Sequence, residues 1–443
     1  MSTADHRFSR LAALRPSRPS TITSTTLREP CAEDTLARLL GAGVSCNRFG
    51  EHLAVRNWFS TPEFAAPQPS CLKLLSQNRD ETLSRRARAA LENPEKWLFL
   101  DTETTGLAGG TGTYAFLIGL AWWDAGGLQV EQLFMRDFAE EHSVLCQLAL
   151  RLAERPVLVT FNGKTFDWPL LENRFRMTRS IAVPNLAAHL DLLHPARALW
   201  KFRLGSVRLI ELERQVLNPT LLGWHRDHDV SSRFIPQFYF DYLRGGPPEP
   251  LTGIARHNQM DLRGLAALFG KINSLLAEEA ETDEEIHGLD LFGLSKYLHR
   301  KGEPGRAQKT CTQAVDAGLP REFHARAQHD LALMAKCKGE HQRAAELWHE
   351  IAADALDGAC ACEQLAIHYE KRVKNYQKAL EFACRAQKLW RSQAALANVY
   401  SGGAWECREL ASIKRIKRLE ARLRKSAGGL LELAAAGAAG GND

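Results

Sequence analysis

Apolar runs and stripes divide the first two-thirds of the chain into short strands and longer helices. Trp97 to Leu100 are apolar without alternation, the pattern of a central strand buried on both faces. Tyr114 to Trp123 and Leu128 to Met135 are strand-like and joined by Asp124-Ala125-Gly126-Gly127, a hairpin signal. Together the three runs predict an antiparallel meander. Val144 to Ala153 has helical spacing, and Pro156 to Phe161 reads as a fourth, buried strand. Thr165 is placed to cap a helix reaching Met177, with Pro169 acceptable in its first turn. Ile254 to Asp261 continues through Leu262, Leu265, Leu268 and Phe269 as one helical stripe. Upstream, Thr35 to Gly43 predicts a short glycine-ended helix, His52 to Val55 a strand, and Leu72 to Leu91 a helix stopped by Pro94.

Past Ile272 the pattern changes. Glu278 to Glu285 holds five glutamates and one aspartate, which suits a linker. Beyond it, Leu294, Gly302, Ala307 and Ala314 are answered by Leu331, Gly339, Ala344 and Ile351, then by Ala366, Lys374, Ala379 and Ala386. An interval of roughly 35 residues with small residues at fixed offsets points to stacked helix pairs similar to tetratricopeptide repeats. About three units are expected, with Ser392 to Lys425 as a capping helix pair. The expected organisation is a disordered tail at 1–30, an N-terminal appendage at 31–92, an α/β domain at 93–277, the acidic linker at 278–288, helical repeats at 289–425 and a flexible tail at 426–443.

Composition narrows the class without deciding it. The 443 residues are 45% hydrophobic and 25% charged, ordinary for a soluble globular protein. A formal charge of +5 is compatible with a polyanionic partner. The ten cysteines form no CxxC pair, which favours a reduced, cytoplasmic chain. Arg7, Arg10, Arg15 and Arg18 lie among serines and threonines, so an organelle transit peptide is the alternative to a plain tail. No run reaches the roughly 20 apolar residues of a membrane span.

The candidate chemistry sits where strands end. Asp101 and Glu103 follow the Trp97 strand at i and i+2, so both carboxylates face one side. Two adjacent anions are best tolerated when a divalent cation neutralises them, and oxygen ligands suit Mg²⁺ or Mn²⁺; a polar turn is the bland alternative. Asp167 lies near the start of the helix after the fourth strand, where dipole complementation would also explain it. His257 and Asp261 are i and i+4 and share a helix face. The loop Ala108 to Thr113 is glycine-rich but lacks a GKS or GKT ending, which argues against a nucleotide cradle. Asp191 is a further acid at a strand end. Arg197, Lys201, Arg203 and Arg208, interleaved with Trp200 and Phe202, suit a single-stranded backbone with stacked bases, or a solvated helix with a buried tryptophan. Lys164 and Arg174 are candidate backbone contacts on the same terms, and the basic run Ile413 to Lys425 is another.

These residues carry a family resemblance. Asp101-x-Glu103, Asn162 with Phe166-Asp167, and His257 four before Asp261 resemble the three motifs of the DEDD exonuclease superfamily. The strings FLDTETTGLAGGTGTYAFLIG, FNGKTFDWPLLENRF, IPQFYFDYL and HNQMDL look like the YprB-type ribonuclease H-like domain. The resemblance covers roughly 91–276 and implies an α/β fold with a mixed five-stranded sheet. It also implies a two-metal phosphodiesterase, most simply a 3′-to-5′ exonuclease on DNA or RNA. Asp101, Glu103, Asp167 and Asp261 would hold two Mg²⁺ or Mn²⁺ ions, with His257 as general base. One departure stands out: classical members place Tyr four before the last Asp or His five before it, whereas this chain has His at four. The expected partners are a single-stranded nucleic-acid end and a protein bound by the repeats, with no membrane. A non-catalytic scaffold is the competing class, although four intact acids argue against it because their repulsion costs stability.

Overall fold

The computed structural model describes residues 26–29, 34–60, 75, 89–106, 112–217, 223–226, 229–277, 286–353, 358–396 and 403–439. The tail before residue 26, nearly all of the Leu72 to Leu91 helix, most of the glycine-rich loop and the linker segment 278–285 lie outside them. The chain divides into two compact units, Met1–Asp283 and Glu284–Asp443.

The first unit is built on one mixed sheet. Its strands are β1 (Thr26–Arg28), β2 (Gly43–Asn47), β3 (Gly50–Phe59), β4 (Trp97–Thr104), β5 (Ala115–Asp124), β6 (Gly127–Phe134), β7 (Val157–Thr160) and β8 (Ala188–Asp191), in the spatial order β1-β2-β3-β6-β5-β4-β7-β8. β4, β5 and β6 form the antiparallel meander, and β7 and β8 add in parallel beyond β4. These are the five strands the resemblance implies. Three more continue the sheet past β6, because β3 pairs antiparallel with β6 from Leu53↔Phe134 to Phe59↔Leu128. The N-terminal region is therefore joined to the sheet by main-chain hydrogen bonds, and Thr26 to Arg28, expected in the tail, form its edge strand.

Position within the sheet explains why the Trp97 run has no alternation. β4 is central, and Trp97, Leu98, Phe99 and Leu100 are all buried to within 1% exposure. The odd residues face helix α7 (Glu249–Leu276): Trp97 and Phe99 meet the Phe269 ring edge-on at centroid distances of 5.1 and 6.0 Å. The even residues Leu98 and Leu100 join a core with Val144, Leu145 and Leu148 of α2 (Glu141–Glu154) and Leu171 and Phe175 of α3 (Asp167–Thr178). A two-sided cover is what an all-apolar strand requires. Other α-helices of this unit are α1 (Thr35–Leu40), α4 (Leu193–Leu204), α5 (Leu209–Gln215) and α6 (Ile235–Leu243). Asp34 caps α1, accepting from the Ala37 N–H, and Gly41 ends it at φ 61°. Thr165 does not cap α3. Its own N–H bonds back to the Asn162 carbonyl in a turn, and the helix starts at Asp167.

The second unit is helical throughout its described residues. Helices α8 (Gly288–Arg300) and α9 (Pro304–Asp316), α10 (Arg321–Lys338) and α11 (His341–Ala353), and α12 (Gly358–His368) and α13 (Tyr376–Leu396) follow one another as pairs. The sequence repeat marks equivalent places in them. Gly302, Gly339 and Lys374 all sit at the turn between paired helices with positive φ, at 83°, 87° and 62°. Ala307, Ala344 and Ala379 are each fully buried, which lets the second helix of each pair approach the first. Lys374 shows that a non-glycine residue occupies the left-handed turn in the third pair, at a modest strain cost. The last helix, α14 (Gly403–Ala439), extends through much of the stretch expected to be a flexible tail. No helix among the described residues is long and apolar enough to cross a membrane.

Candidate active site

The carboxyl ends of β4 and β7 gather the acids. Asp101 and Glu103 lie on the α7 side of β4, in register with Gly119 and Leu117 of β5, and the strand is irregular between Glu103 and Thr104. From the helix above, α7 presents His257, Asn258 and Asp261 to them. Oxygen atoms of Glu103 and Asp261 and a ring nitrogen of His257 lie within 4.8 Å of one another. Asp167 arrives from the other side of the sheet at the start of α3, and Thr102 donates its hydroxyl to Asp167 Oδ1 at 2.5 Å. Alternation thus gives β4 two tasks: residues 101 and 103 carry carboxylates, and residue 102 positions a third.

A polar relay on the α7 face of the sheet orients Asp101. Gln132 on β6 is 2% exposed and donates to Asn258 Oδ1 at 2.9 Å. Asn258 Nδ2 donates in turn to Asp101 Oδ2 at 2.8 Å. The relay passes across β5 at Gly119, where an added Cβ would stand 2.1 Å from Asn258 Oδ1. Gly119→Ala should therefore push Asn258 off Asp101 and destabilise the fold by about 1–3 kcal/mol, as overpacked cores do. Denaturant unfolding of the variant checks this, and a midpoint equal to wild type would refute it.

Electrostatics set this place apart. Burial raises Asp101 well above the usual carboxylate range, and Asp261, Glu103 and Asp167 raise it further against the opposing Asn258 hydrogen bond. Burial chiefly lifts Glu103 to about 8, with Asp261, Asp167 and Asp229 adding to it while His257 pulls down. Asp167 reaches about 6, mainly by burial, despite the Thr102 hydroxyl. His257 stands at about 9: burial lowers it, but the hydrogen bond to Asp229 and the charges of Asp261 and Glu103 outweigh that. A general base needs a neutral imidazole near pH 7, and these carboxylates instead favour the charged ring. Buried oxygen donors whose carboxyls are raised together suit a hard divalent ion, and Asp101, Glu103 and Asp167 are raised in this way, while Asp261 stands beside Glu103 and His257.

Three charged residues in the site were missed by sequence reasoning. Arg226 grips Glu213 of α5 through Nε at 2.7 Å and Nη2 at 2.6 Å, Asp229 Oδ2 at 2.9 Å and Asp261 Oδ1 at 2.6 Å. Asp229 in turn meets His257 Nδ1 at 2.8 Å. The signal was available in Trp224 to Asp229, a run dense in charge and histidine between two helices. Other candidates resolve differently. Arg174 is 3% exposed, paired to Glu141, and stacked on the Tyr114 ring at 3.8 Å, so it is closed to a nucleic-acid backbone. Asp191 accepts from the backbone N–H groups of Asn162, Lys164 and Leu193. It pins the turn before α3, where Asn162 adopts φ 68°. Trp200 is 1% exposed and closed to base stacking, while Phe202 stays exposed.

Comparison with known proteins agrees with this architecture. Residues 98–273 match the family described as the RNase_H superfamily. A protein of Bacillus subtilis (strain 168) named "Uncharacterized protein YprB" is 30% identical over 305 residues, covering 68% of this chain and 71% of that one. The chain therefore belongs to the RNase H superfamily, as a YprB-type member with a ribonuclease H-like domain followed by a helical region.

Proposed function

We propose that this protein is a metal-dependent nuclease, a DEDD-type 3′-to-5′ exonuclease acting on a single-stranded end of DNA or RNA. The observation that carries the reading is the convergence of Asp101, Glu103, Asp167 and Asp261 at one pole of the sheet, with Asp101, Glu103 and Asp167 all raised above the usual carboxylate range. These four would hold two Mg²⁺ or Mn²⁺ ions. When bound, such ions stabilise charge on the attacking and leaving oxygens of a phosphodiester. His257 turns Nε2 toward Glu103 Oε1 and Asp261 Oδ2, at 3.9 and 3.4 Å. With the charge on those carboxylates neutralised, the pull that keeps a proton on the ring weakens, and Nε2 can accept one from the attacking water.

Exposed Lys201 and Phe202 on α4 suit a substrate backbone and its bases. The helical repeats would recruit a protein partner. The absence of a CxxC pair among the ten cysteines is the sequence feature behind our placing the protein in a reduced, cytoplasmic setting. The test is incubation of purified protein with 5′- and 3′-end-labelled single- and double-stranded DNA and RNA in Mn²⁺. Stepwise shortening of 5′-labelled single strands is expected; intact substrates under all conditions would favour the non-catalytic scaffold.

A further inference from the structure

The hydrogen bond between Asp229 and His257 is the feature that the acid set does not account for. Asp229 lies 28 positions before His257 and comes from an irregular segment rather than from β4, α3 or α7. Its side chain is 9% exposed and that of His257 is 11% exposed, so water competes little for the bond. Both carboxylate oxygens are committed. Oδ2 accepts from Arg226 Nη1 at 2.9 Å, while Oδ1 accepts from the Val230 N–H at 2.9 Å and lies 2.8 Å from His257 Nδ1. Neutralising Arg226 does not explain this placement, because Glu213 already takes that guanidinium through two nitrogens.

We infer that Asp229 is a positioning residue: it fixes the ring orientation and tautomer of His257 so that Nε2 is the atom aimed at Glu103 and Asp261. The inference rests on the nuclease reading of the site. An ionised carboxylate can only accept a hydrogen bond, so Nδ1 must carry the proton on that side. In the neutral ring the lone pair then belongs to Nε2, which faces the reacting region. Carboxylates that hold a histidine this way recur both behind metal-ligating imidazoles and behind general bases. Arg226 completes the arrangement: it binds Asp229 and Asp261 through different nitrogens, so the carboxylate behind the ring and the acid in front of it share one rigid brace. A ring without Asp229 would be free to present Nδ1 or to flip.

The experiment is a double-mutant cycle on the full chain with Asp229→Asn, His257→Ala and the pair, using a 5′-labelled single-stranded oligonucleotide and Mn²⁺. Asparagine keeps the shape but can turn its amide N–H toward Nδ1 and favour the wrong tautomer. Asp229→Asn should cut kcat by about 10²- to 10⁴-fold, the range for lost acid-base catalysis, with KM and Mn²⁺ affinity within about twofold of wild type. The double variant should be no slower than His257→Ala, since groups acting as a unit are not additive. Normal kcat in Asp229→Asn, or losses that multiply, would overturn the inference. A second readout needs no turnover. In ¹⁵N-histidine-labelled wild type with Mg²⁺, His257 should show a protected proton on Nδ1, and its absence would also overturn the inference. If wild type cleaves nothing, the nuclease reading fails by itself while the Nδ1 signal still judges Asp229; the same signal decides if Asp229→Asn does not fold.

Discussion

Asp101→Asn is expected to lower turnover by about 10³-fold or more while making the metal-free protein more stable. The loss follows from removing a ligand whose metal supplies several kcal/mol of transition-state stabilisation, at about 1.4 kcal/mol per factor of ten. The gain follows from the place the side chain occupies. Asp101 is held well above the usual carboxylate range by burial and by Asp261, Glu103 and Asp167, so near pH 7 the folded chain must take up a proton there that the unfolded chain sheds, and a neutral amide removes that cost. The oxygen of the substituted amide can still accept from Asn258 Nδ2, which keeps the relay from Gln132 intact. A difference of one pH unit between the folded and unfolded values is worth about 1.4 kcal/mol, so the metal-free variant should melt at least a few degrees above wild type. Activity assays and metal-free thermal unfolding check the two halves together. A variant both inactive and less stable than wild type would mean that Asp101 serves the fold.

Divalent metal should stabilise the wild type strongly, and more so at pH 8 than at pH 5. Glu103 is raised to about 8, chiefly by burial, and Asp101 is raised as well. For a carboxyl raised in this way, the stabilising contribution is fully present below its unfolded pKa and is lost as pH rises through the folded value. The metal-free fold therefore weakens between about pH 4.5, an ordinary glutamate value, and the value of about 8 for Glu103. Cations that replace those protons restore the loss, and binding strengthens over the same interval because ligands must be deprotonated. A restored few kcal/mol corresponds to a melting shift of roughly 10 °C for a unit of this size. Differential scanning with and without Mn²⁺ at the two pH values measures it; a shift equal at both, or none, would count against coordination by these acids.

How much of this was legible in the sequence depends on whether local pattern or long-range pairing decided the matter. The meander and the existence of β7, though not its parallel pairing, could be read because an unbroken apolar run, a glycine hairpin and a helix before Pro156 each carry a local signature. The i, i+2 acids and the i, i+4 His257 and Asp261 were readable for the same reason: side-chain direction follows from strand and helix periodicity. The pairing of β3 with β6 was not, since register between strands some 70 residues apart has no local signal. Arg174 illustrates the limit for single residues. Its sequence position near Asp167 suggested a nucleic-acid backbone contact or plain solvation, but the helix turns it inward onto Glu141 and Tyr114. Around Arg226 the charged run Trp224 to Asp229 was visible in the sequence, but its meeting with Glu213 of α5 and Asp261 of α7 exists only in space. The repeat was legible through its offsets, and Lys374 was aligned correctly although only its positive φ explains the place it shares with Gly302 and Gly339.

The most direct test of the metal-site account is calorimetric titration of Mn²⁺ into the wild type and into the Asp101→Asn/Glu103→Gln double variant at pH 8. Removing two of the four carboxylates leaves Asp167 and Asp261 without the partners that β4 holds beside them, so metal affinity should collapse while the variant stays folded. Saturable binding by the wild type with little or none in the variant is the predicted result. Equal binding isotherms for the two proteins would contradict the account.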